Sequence, residues 1–354
     1  NAVARRPAAG AMLSLGFEYP RNVTHPEVSG VNWADTTSSV KLGSGCTRDN
    51  CGEGTSASVR PGVLYKCWGP LALPTPSGRL HRFLPEVDMG LVHHMILWGG
   101  DRCGGPLLYA WARTGQTAPI GLDFDTWDRS AGFGYQIGAG GLTQVSLQIH
   151  YQQASPTPTV DRSGLRIWYS PEPPRLPLKL NLNALLPQIP ARALVADNCV
   201  ACRVVREGTV YGWRNHAHKL GRDIWSDHIA ASGEAMEPVG LISSQHPQII
   251  RRLPEAKRLQ TGDMLQLHCV YDNSANDRPS GYGSDESGEM CKCAALRRFR
   301  TLTLMTHNVC VRRGSQYLLS DLGLQMRCEN RGARSRRNQS CVDSPHVVVD
   351  SMGT

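Results

Sequence analysis

Residues 143–151 read Thr-Gln-Val-Ser-Leu-Gln-Ile-His-Tyr, and this stretch decides the fold class. Its aliphatic side chains stand at every second position, and polar side chains stand between them. An alternation with a period of two residues is typical of a β-strand that is buried on one face only. The stretch therefore predicts an antiparallel sheet with one face on a core.

Segments of the same kind recur on both sides of this stretch, separated by short turn-forming sequences, and few long helical periodicities interrupt them. The further predicted strands are Val63–Cys67, Gly90–Trp98, Leu107–Arg113, Leu165–Tyr169, Val200–Arg206, Gly208–Leu220, Met264–Tyr271 and Phe299–His307. Many short strands divided by turns are typical of sandwich folds. We therefore predict an all-β protein with two antiparallel β-sandwich domains of the jelly-roll type.

The boundary between the two domains is predicted at Ser-Pro-Glu-Pro-Pro-Arg-Leu-Pro, residues 170–177, because prolines cannot donate hydrogen bonds within a central strand. The predicted sandwiches then span residues 61–170 and 178–310. Residues 1–60 are rich in Gly, Ser, Thr, Pro and Ala and are predicted to form a loop-rich N-terminal extension. Residues 311–354 are predicted to form a basic C-terminal extension that contains cysteines.

The composition excludes several other classes of protein. Of the 354 residues 40% are hydrophobic and only 19% are charged, which is too apolar and too weakly charged for a disordered chain. No apolar run approaches the about 18 residues that a membrane helix requires. We therefore expect a soluble globular protein, with any contact to a membrane made by parts outside this chain.

Positive charge is concentrated near the C-terminal end. Residues 292–337 contain 11 Lys or Arg side chains against two acids, whereas the whole chain has a net charge of +8. A basic segment of this kind is able to bind nucleic acid. Phe299 and Tyr317 are the two aromatic residues of this segment, too few to form a platform that stacks on bases, so a solvated tail is the favoured interpretation and no nucleic-acid partner is expected.

The 12 cysteines and two glycosylation sequons indicate an oxidising compartment. The sequons are Asn22-Val-Thr and Asn338-Gln-Ser, and an even number of dispersed cysteines is typical of disulfide-bonded secreted proteins. The alternative is a cytosolic zinc protein, because Cys199-x-x-Cys202 has the spacing of a zinc finger. No second pair follows at finger distance, so we expect disulfides and a location in the secretory lumen or outside the cell.

Two pairs of histidines are candidate metal ligands. His93 and His94 are adjacent within an apolar strand, where neighbouring side chains point to opposite faces unless a bulge or a strand end intervenes. His216 and His218 are two residues apart, which puts both rings on one strand face. A single histidine is more often an ordinary core or surface residue, so the interpretation as metal ligands depends on the pairing.

One further histidine and one methionine complete the candidate set. His150 stands on the polar face of the strand 143–151, and Met290 follows two acids and a glycine, an unusual place for a core methionine. Thioether sulfur is too soft a donor for zinc, magnesium or calcium, whereas Cu(I) accepts it readily and tolerates mixed ligation with imidazole. The combination therefore predicts copper.

Five segments together resemble the type II, ascorbate-dependent copper monooxygenases, in particular the branch that hydroxylates peptidylglycine. The segments are Val92-His-His-Met-Ile-Leu97, Leu108-Tyr-Ala-Trp-Ala-Arg113, Leu147-Gln-Ile-His-Tyr151, Arg214-Asn-His-Ala-His-Lys-Leu-Gly221 and Glu289-Met-Cys291. Their order and approximate spacing also match, over about residues 65–307. The resemblance implies two β-sandwich domains that each hold one copper ion beside a cleft.

The resemblance also implies how the ligands divide, three on each side of the proline-rich boundary. The electron-transfer copper would be held by His93, His94 and His150, and the copper that binds dioxygen beside the substrate by His216, His218 and Met290. Ascorbate is then the expected reductant and O₂ the co-substrate. A catalytic role near the cleft is expected for Gln148, which we place one residue off the ligand face of its strand.

Arg214 is the candidate that determines the substrate. It precedes His216 by two residues, so it shares a strand face with both ligands of that pair, and a guanidinium binds a carboxylate in a bidentate manner. In the resembled family an arginine at this position grips the C-terminal carboxylate of the peptide. Lys292 and Ala294 stand where the family has Asn and Tyr. We expect Lys292 to contribute a cationic hydrogen-bond donor to the carboxylate. We expect Ala294, which lacks a hydroxyl, to weaken carboxylate binding or to change the substrate preference.

We therefore predict an enzyme that hydroxylates the α-carbon of the C-terminal glycine of glycine-extended peptides, the first step of peptide amidation. A lyase that completes amidation is the expected downstream partner. One alternative is a dopamine β-hydroxylase-like copper monooxygenase, although an amine substrate gains nothing from the cation of Arg214. The other alternative is a non-catalytic extracellular module that binds copper.

The resemblance finally implies two disulfides, Cys67–Cys103 and Cys269–Cys291, of which the second would fix the loop that carries Met290. A further bridge is expected between Cys202 or Cys199 and Cys310. Cys46–Cys51 and Cys328–Cys341 are expected to close local loops outside the matched region. Sequence alone leaves the full connectivity open.

Overall fold

The computed structural model describes residues 39–60, 65–73, 77–113, 119–152, 157–204, 207–283 and 287–298, with the backbone alone for 181–183, 309–310 and 326–328. The described strands are β1 Ser39–Gly43, β2 Ala57–Val59, β3 Tyr65–Ala72, β4 Ser77–Glu86, β5 Val92–Gly99, β6 Leu107–Ala112, β7 Leu122–Asp123, β8 Phe133–Gly138, β9 Gln144–Tyr151, β10 Thr159–Asp161, β11 Gly164–Ser170, β12 Leu176–Leu185, β13 Ala196–Val204, β14 Gly208–His216, β15 Gly221–Ile229, β16 Val239–Ser243, β17 Arg251–Leu259, β18 Met264–Tyr271, β19 Cys291–Arg298, β20 Val309–Cys310 and β21 Met326–Cys328. Helix within these residues is limited to α1, Asp125–Asp128, and a 3₁₀ turn, Arg129–Ala131. The predicted all-β class is confirmed.

The largest sheet has ten strands and runs through both halves of the chain. Its order is β1-β11-β4-β8-β12-β19-β14-β17, with β7 beside β4 and β20 beside β12. The junction is narrow, because β12 pairs with β8 only through Leu176 and Pro177. From Leu178 onward β12 pairs antiparallel with β19, so the second half begins there.

Each half has its own buried core between a part of this sheet and a smaller sheet. In the first half a four-stranded sheet, β3-β9-β5-β6, packs Leu147 against side chains of the large sheet such as Phe83. In the second half a five-stranded sheet, β16-β15-β18-β13-β21, packs Leu267 against Leu185 of the large sheet. The finer description as two jelly-roll sandwiches, with domain limits at 61–170 and 178–310, stays a prediction.

The predicted strands of the described region are confirmed, with ends that shift by a few residues. The largest shift is in β3, which ends at Ala72 rather than Cys67, and β14 ends at His216 rather than Leu220. The predicted strand Phe299–His307 lies outside the described residues, as do both sequons and most of the extension 311–354.

Two predictions of loop are wrong. Within residues 1–60, β1 pairs with β11 along its whole length and buries Leu42 completely, because Val40 and Leu42 form a short alternating pattern inside a Ser- and Gly-rich segment. Within the proline-rich boundary, Pro177 belongs to β12. It is tolerated because it is the second residue of that strand, where the ladder is only beginning.

Three predicted disulfides are confirmed: Cys46–Cys51, Cys67–Cys103 and Cys269–Cys291. Cys199 and Cys202 are also disulfide-bonded, so their thiolates cannot bind zinc, and the zinc-finger alternative is wrong. The pairing with Cys310 and the bridge Cys328–Cys341 stay predictions, since those side chains lie outside the described region. The one free thiol among the described cysteines is the buried Cys293. None of the helices in the described part is long and apolar enough to span a membrane.

Candidate metal centres and substrate pocket

The first histidine cluster is built by a bulge between two paired strands. Val92 lies opposite Tyr151 and His94 lies opposite His150, so His93 is an extra residue in β5. The extra residue breaks the alternation of side chains, and His93 and His94 both reach His150. The requirement for a bulge at this pair, predicted from the sequence, is confirmed.

The nitrogen atoms of this cluster converge. The Nδ1 atom of His150 lies 3.2 Å from Nδ1 of His93 and 3.2 Å from Nδ1 of His94. Two imidazole nitrogens that each lie about 2 Å from one metal ion at a near-tetrahedral angle are about 3 Å apart. Burial, reinforced by His150 and His93, holds the pKa of His94 well below its usual range, so its imidazole is neutral and able to bind a metal.

Tyr65 covers one side of the cluster. Its ring stacks on His150 with a centroid separation of 4.0 Å and an interplanar angle of 6°. The register explains the contact, because Tyr65 in β3 lies directly opposite His150 in β9. The sequence analysis did not select Tyr65 as a site residue, although its position in the Tyr-Lys-Cys segment next to Cys67 was a usable signal.

The second histidine pair lies where β14 ends. The rings of His216 and His218 are 5.2 Å apart, and His216 lies opposite Lys292 in β19. Continuing this antiparallel register by two residues sets Met290 opposite His218, just before β19 begins. Met290 is 7% exposed, its carbonyl accepts a hydrogen bond of 2.7 Å from Tyr271, and Cys291 beside it is bridged to Cys269. The strand pairing thus brings the three predicted ligands to one strand end.

Protein groups occupy one nitrogen of each ring in this pair. Nδ1 of His216 is hydrogen-bonded to Oε1 of Gln248, and Nδ1 of His218 lies 2.8 Å from the carbonyl oxygen of Gly288. A histidine that donates its Nδ1–H to an oxygen presents Nε2 as the free ligand atom, which is the usual arrangement around a bound metal. Burial, followed by the charges of Arg214 and Lys292, lowers the pKa of His216 well below its usual range, so this ring is also neutral.

Gln248 and Glu289 are two supporting residues that the sequence analysis missed. The carboxylate of Glu289 accepts backbone hydrogen bonds from His218 (2.9 Å) and Leu220 (2.7 Å), which ties the ligand loop to the residue before Met290. Glu289 was visible in the segment Glu-Met-Cys, but its role was not. Gln248 lies in an irregular segment before β17, and no sequence pattern indicated it.

Arg214 and Lys292 lie on the same strand face as His216. Arg214 is opposite Ala294, and Lys292 is opposite His216. Arg214 is 7% exposed, and its Nε donates a 2.9 Å hydrogen bond to the carbonyl of Gln248. Burial lowers the pKa of Arg214 to about 10, and burial together with the charge of Arg214 lowers the pKa of Lys292 to about 8. Within the described residues neither cation forms an ion pair with an acid.

These two cations also act on the first cluster. After burial and the neighbouring histidines, Lys292 and Arg214 are further causes of the lowered pKa of His94. The charge of Arg214 likewise opposes the pKa rise that burial causes in Tyr109 of β6, a strand of the first half. Both cations therefore disfavour protonation of His94 as well as of His216.

Gln148 is placed differently from the prediction. It is two residues before His150 in β9, so it lies on the same face as this ligand rather than one residue off it, because side chains in a strand alternate. It is half-buried and opposite Cys67, and its side chain forms no hydrogen bond with the described residues. A catalytic role for Gln148 stays a prediction.

Comparison with known proteins finds similarity to copper enzymes. Residues 185–322, which include the second histidine pair and Met290, match the family model for the C-terminal domain of copper type II ascorbate-dependent monooxygenases. This part of the chain is similar to the type II copper monooxygenase family. The matched residues include the second histidine pair and Glu289, whose carboxylate accepts the backbone hydrogen bonds of His218 and Leu220.

Curated relatives of the copper monooxygenase family extend the similarity to the first half. Peptidyl-glycine alpha-amidating monooxygenase B of Xenopus laevis is 22% identical over 268 residues, which cover 68% of this chain and 29% of that protein. Peptidyl-glycine alpha-amidating monooxygenase of Mus musculus is 25% identical over 223 residues, 59% of this chain and 22% of that protein. The chain spans about a quarter of the length of the curated relatives it matches.

Among solved structures, the major capsid protein P2 of bacteriophage PM2 aligns with a TM-score of 0.35 and 10% identity, over 74% of this chain and 97% of that one. A similarity at this level carries no argument about fold or function.

Proposed function

We propose that this chain is a copper- and ascorbate-dependent monooxygenase that hydroxylates the glycine α-carbon of C-terminally glycine-extended peptides. The observation that carries the proposal is the position of Arg214, a buried cation without an acidic partner among the described residues, on the strand face of His216. An unpaired buried cation beside a metal-donor pair favours a substrate that brings its own carboxylate.

Arg214 would orient the substrate. The hydrogen bond from its Nε to the carbonyl of Gln248 fixes one edge of the guanidinium and leaves the Nη groups for the carboxylate. In a C-terminal glycine the α-carbon is bonded directly to that carboxylate. A carboxylate held by Arg214 therefore places the α-carbon beside His216, which restricts the reaction to the terminal residue.

The two donor clusters would hold the metal. His93, His94 and His150 would bind one copper through Nδ1, and His216 and His218 through Nε2, with Met290, would bind the other. When bound, copper exchanges electrons with ascorbate and activates O₂, and Cu(I) suits the thioether of Met290. Gln248, Gly288 and Glu289 would hold the second pair in place.

The charge of the pocket disfavours the rival substrates. An arylethylamine, the substrate class of a dopamine β-hydroxylase-like enzyme, would bring a third cation next to Arg214 and Lys292. A non-catalytic copper-binding module would have no use for a buried arginine that lacks an acidic partner among the described residues. The disulfides of the described region support a non-cytosolic environment, so the proposed setting is the secretory lumen or the extracellular space. A lyase that consumes the α-hydroxyglycine product is the proposed downstream partner.

The test is a turnover assay with matched substrates. The copper-loaded protein, ascorbate and O₂ are incubated with a dansylated peptide that ends in glycine, with the same peptide ending in glycinamide, and with a phenethylamine. We expect the α-hydroxyglycine product from the free acid only. Turnover of the amine alone would establish the rival enzyme, and absence of any product with two coppers bound would establish the non-catalytic module.

A further inference from the structure

The strand face that carries Arg214 and Lys292 holds more positive charge than one carboxylate neutralises. Arg214 pairs with Ala294 and Lys292 pairs with His216, so the two cations are diagonal neighbours across β14 and β19. Diagonal neighbours in an antiparallel pair have backbones about 7–8 Å apart. Both side chains are long enough to contact the same small ligand from two sides.

The described surroundings of these cations offer no compensating negative charge. The one hydrogen bond of the Arg214 side chain goes to a neutral carbonyl, that of Gln248, and the ammonium of Lys292 forms no hydrogen bond with any described residue. Ala294, opposite Arg214, contributes only a methyl group. A buried charge without a partner is costly, and removing that cost is a large gain for a ligand that brings the missing negative charge.

We propose that this pocket selects ligands that carry two negative charges at the end that enters it. For a peptide, that end is a C-terminal glycine unit with a second acidic group close to its carboxylate, one group facing Arg214 and the other facing Lys292. The inference rests on the proposed function in one respect only, the statement that this pocket receives the acidic end of the substrate.

The test compares the binding of N-acetylglycine and N-acetylaminomalonate, which differ by one carboxylate on the α-carbon. Dissociation constants are measured by titration calorimetry at pH 7, where the malonate has both charges, with the copper-free and the Cu(I)-loaded protein. The variants are Lys292→Met, which keeps the length of the side chain and removes its charge, and Lys292→Arg, which keeps the charge. Lys257→Met in β17 is the matched control, because it removes one lysine away from the pocket.

We expect wild-type protein to bind the dianion at least tenfold more tightly than the monoanion. Lys292→Met should abolish this preference, whereas Lys292→Arg and Lys257→Met should retain it. Equal affinity of the two ligands for wild-type protein, or an equal loss in Lys257→Met and Lys292→Met, would overturn the inference. If the dianion preference is missing while the glycine-extended peptide is still hydroxylated, the inference fails and the proposed function stands. If the dianion preference is present and no peptide is hydroxylated, the inference stands and the proposed function fails.

Discussion

The two histidine clusters of this molecule use similar donors but are held in different ways. His93, His94 and His150 project from two paired strands, and a single bulge in β5 is sufficient to bring them together. His216 and His218 lie at a strand end, where an amide, a carbonyl, a carboxylate and a disulfide hold them and Met290 in place. The first cluster therefore depends on the sheet alone, and the second depends on several contacts that are each open to mutation.

The largest expected effect is at Met290. Met290→Ile removes the thioether but keeps a side chain of similar volume, so we expect turnover to fall to background while one copper per chain remains. Copper content and the turnover assay measure both outcomes, with Met264→Ile in β18 as the matched control. Loss of both coppers in Met290→Ile would contradict the division of ligands between the two clusters.

The next largest effect is expected from removal of the disulfides, which should change copper binding at one cluster and not at the other. Loss of a native disulfide costs about 2–5 kcal/mol, so we expect both Cys269→Ser/Cys291→Ser and Cys67→Ser/Cys103→Ser to lower the urea midpoint. Only the first double variant should also lose one copper, because Cys291 is adjacent to Met290.

The second double variant should keep both coppers, because the pairing of β5 with β9 holds the first cluster without the Cys67–Cys103 bridge. Metal content after dialysis is the deciding measurement. Retention of both coppers in the Cys269→Ser/Cys291→Ser protein would show that this bridge does not position Met290.

Gln248 should have a smaller effect, confined to the second cluster. Gln248→Leu removes the partner of Nδ1 of His216, and loss of such a partner typically weakens metal binding about 10- to 100-fold. Competition with a copper chelator measures the affinity of each site. The control is Gln245→Leu, which removes a hydrogen bond to Gly221 in the same segment. An equal loss of copper affinity at both sites in Gln248→Leu would indicate a general loss of stability instead.

The smallest predicted effect concerns pH and the five-stranded sheet. Burial alone would lower the pKa of His268, but the hydrogen bond to Asp197 and the ion-pair contact with Asp227 outweigh it and raise the pKa to about 9. A raised pKa contributes stability that is complete below about pH 6.5 and is lost as the pH rises to 9. We expect a loss of about 2 kcal/mol in the free energy of unfolding over this interval, after allowance for the partial exposure of Asp197.

Urea unfolding at pH 6.5 and pH 9 measures this loss. His268→Gln should flatten the pH dependence, whereas Gln266→Glu on the same strand face should not. An unchanged slope in His268→Gln would remove His268 as its source.

The comparison also explains what could be predicted from the sequence. The first cluster was predictable down to its bulge, because two adjacent histidines can reach one ligand only if the alternation breaks. Several strands of the large sheet were missed, among them β4, β8 and β12. β4 contains Pro85 and charged residues, β8 contains Gly134, and β12 begins beside four prolines. Their local composition is therefore not typical of strands, and pairing with neighbouring strands stabilises them instead.

The second cluster was predictable in its ligands but not in its supports. His216 and His218 are two residues apart, a spacing that is visible in any strand. Gln248 and Glu289 act across more than 30 residues through loops, and such long-range contacts leave no local periodicity. The position of Gln148 on the ligand face follows from the strand period and was misassigned in the sequence analysis.

The central claim is that each half of the chain carries one copper site. Anomalous scattering from crystals of the copper-loaded protein at the copper edge tests it most directly. We expect two peaks per chain, one among His93, His94 and His150 and one among His216, His218 and Met290. A single peak, or peaks away from these side chains, would contradict it.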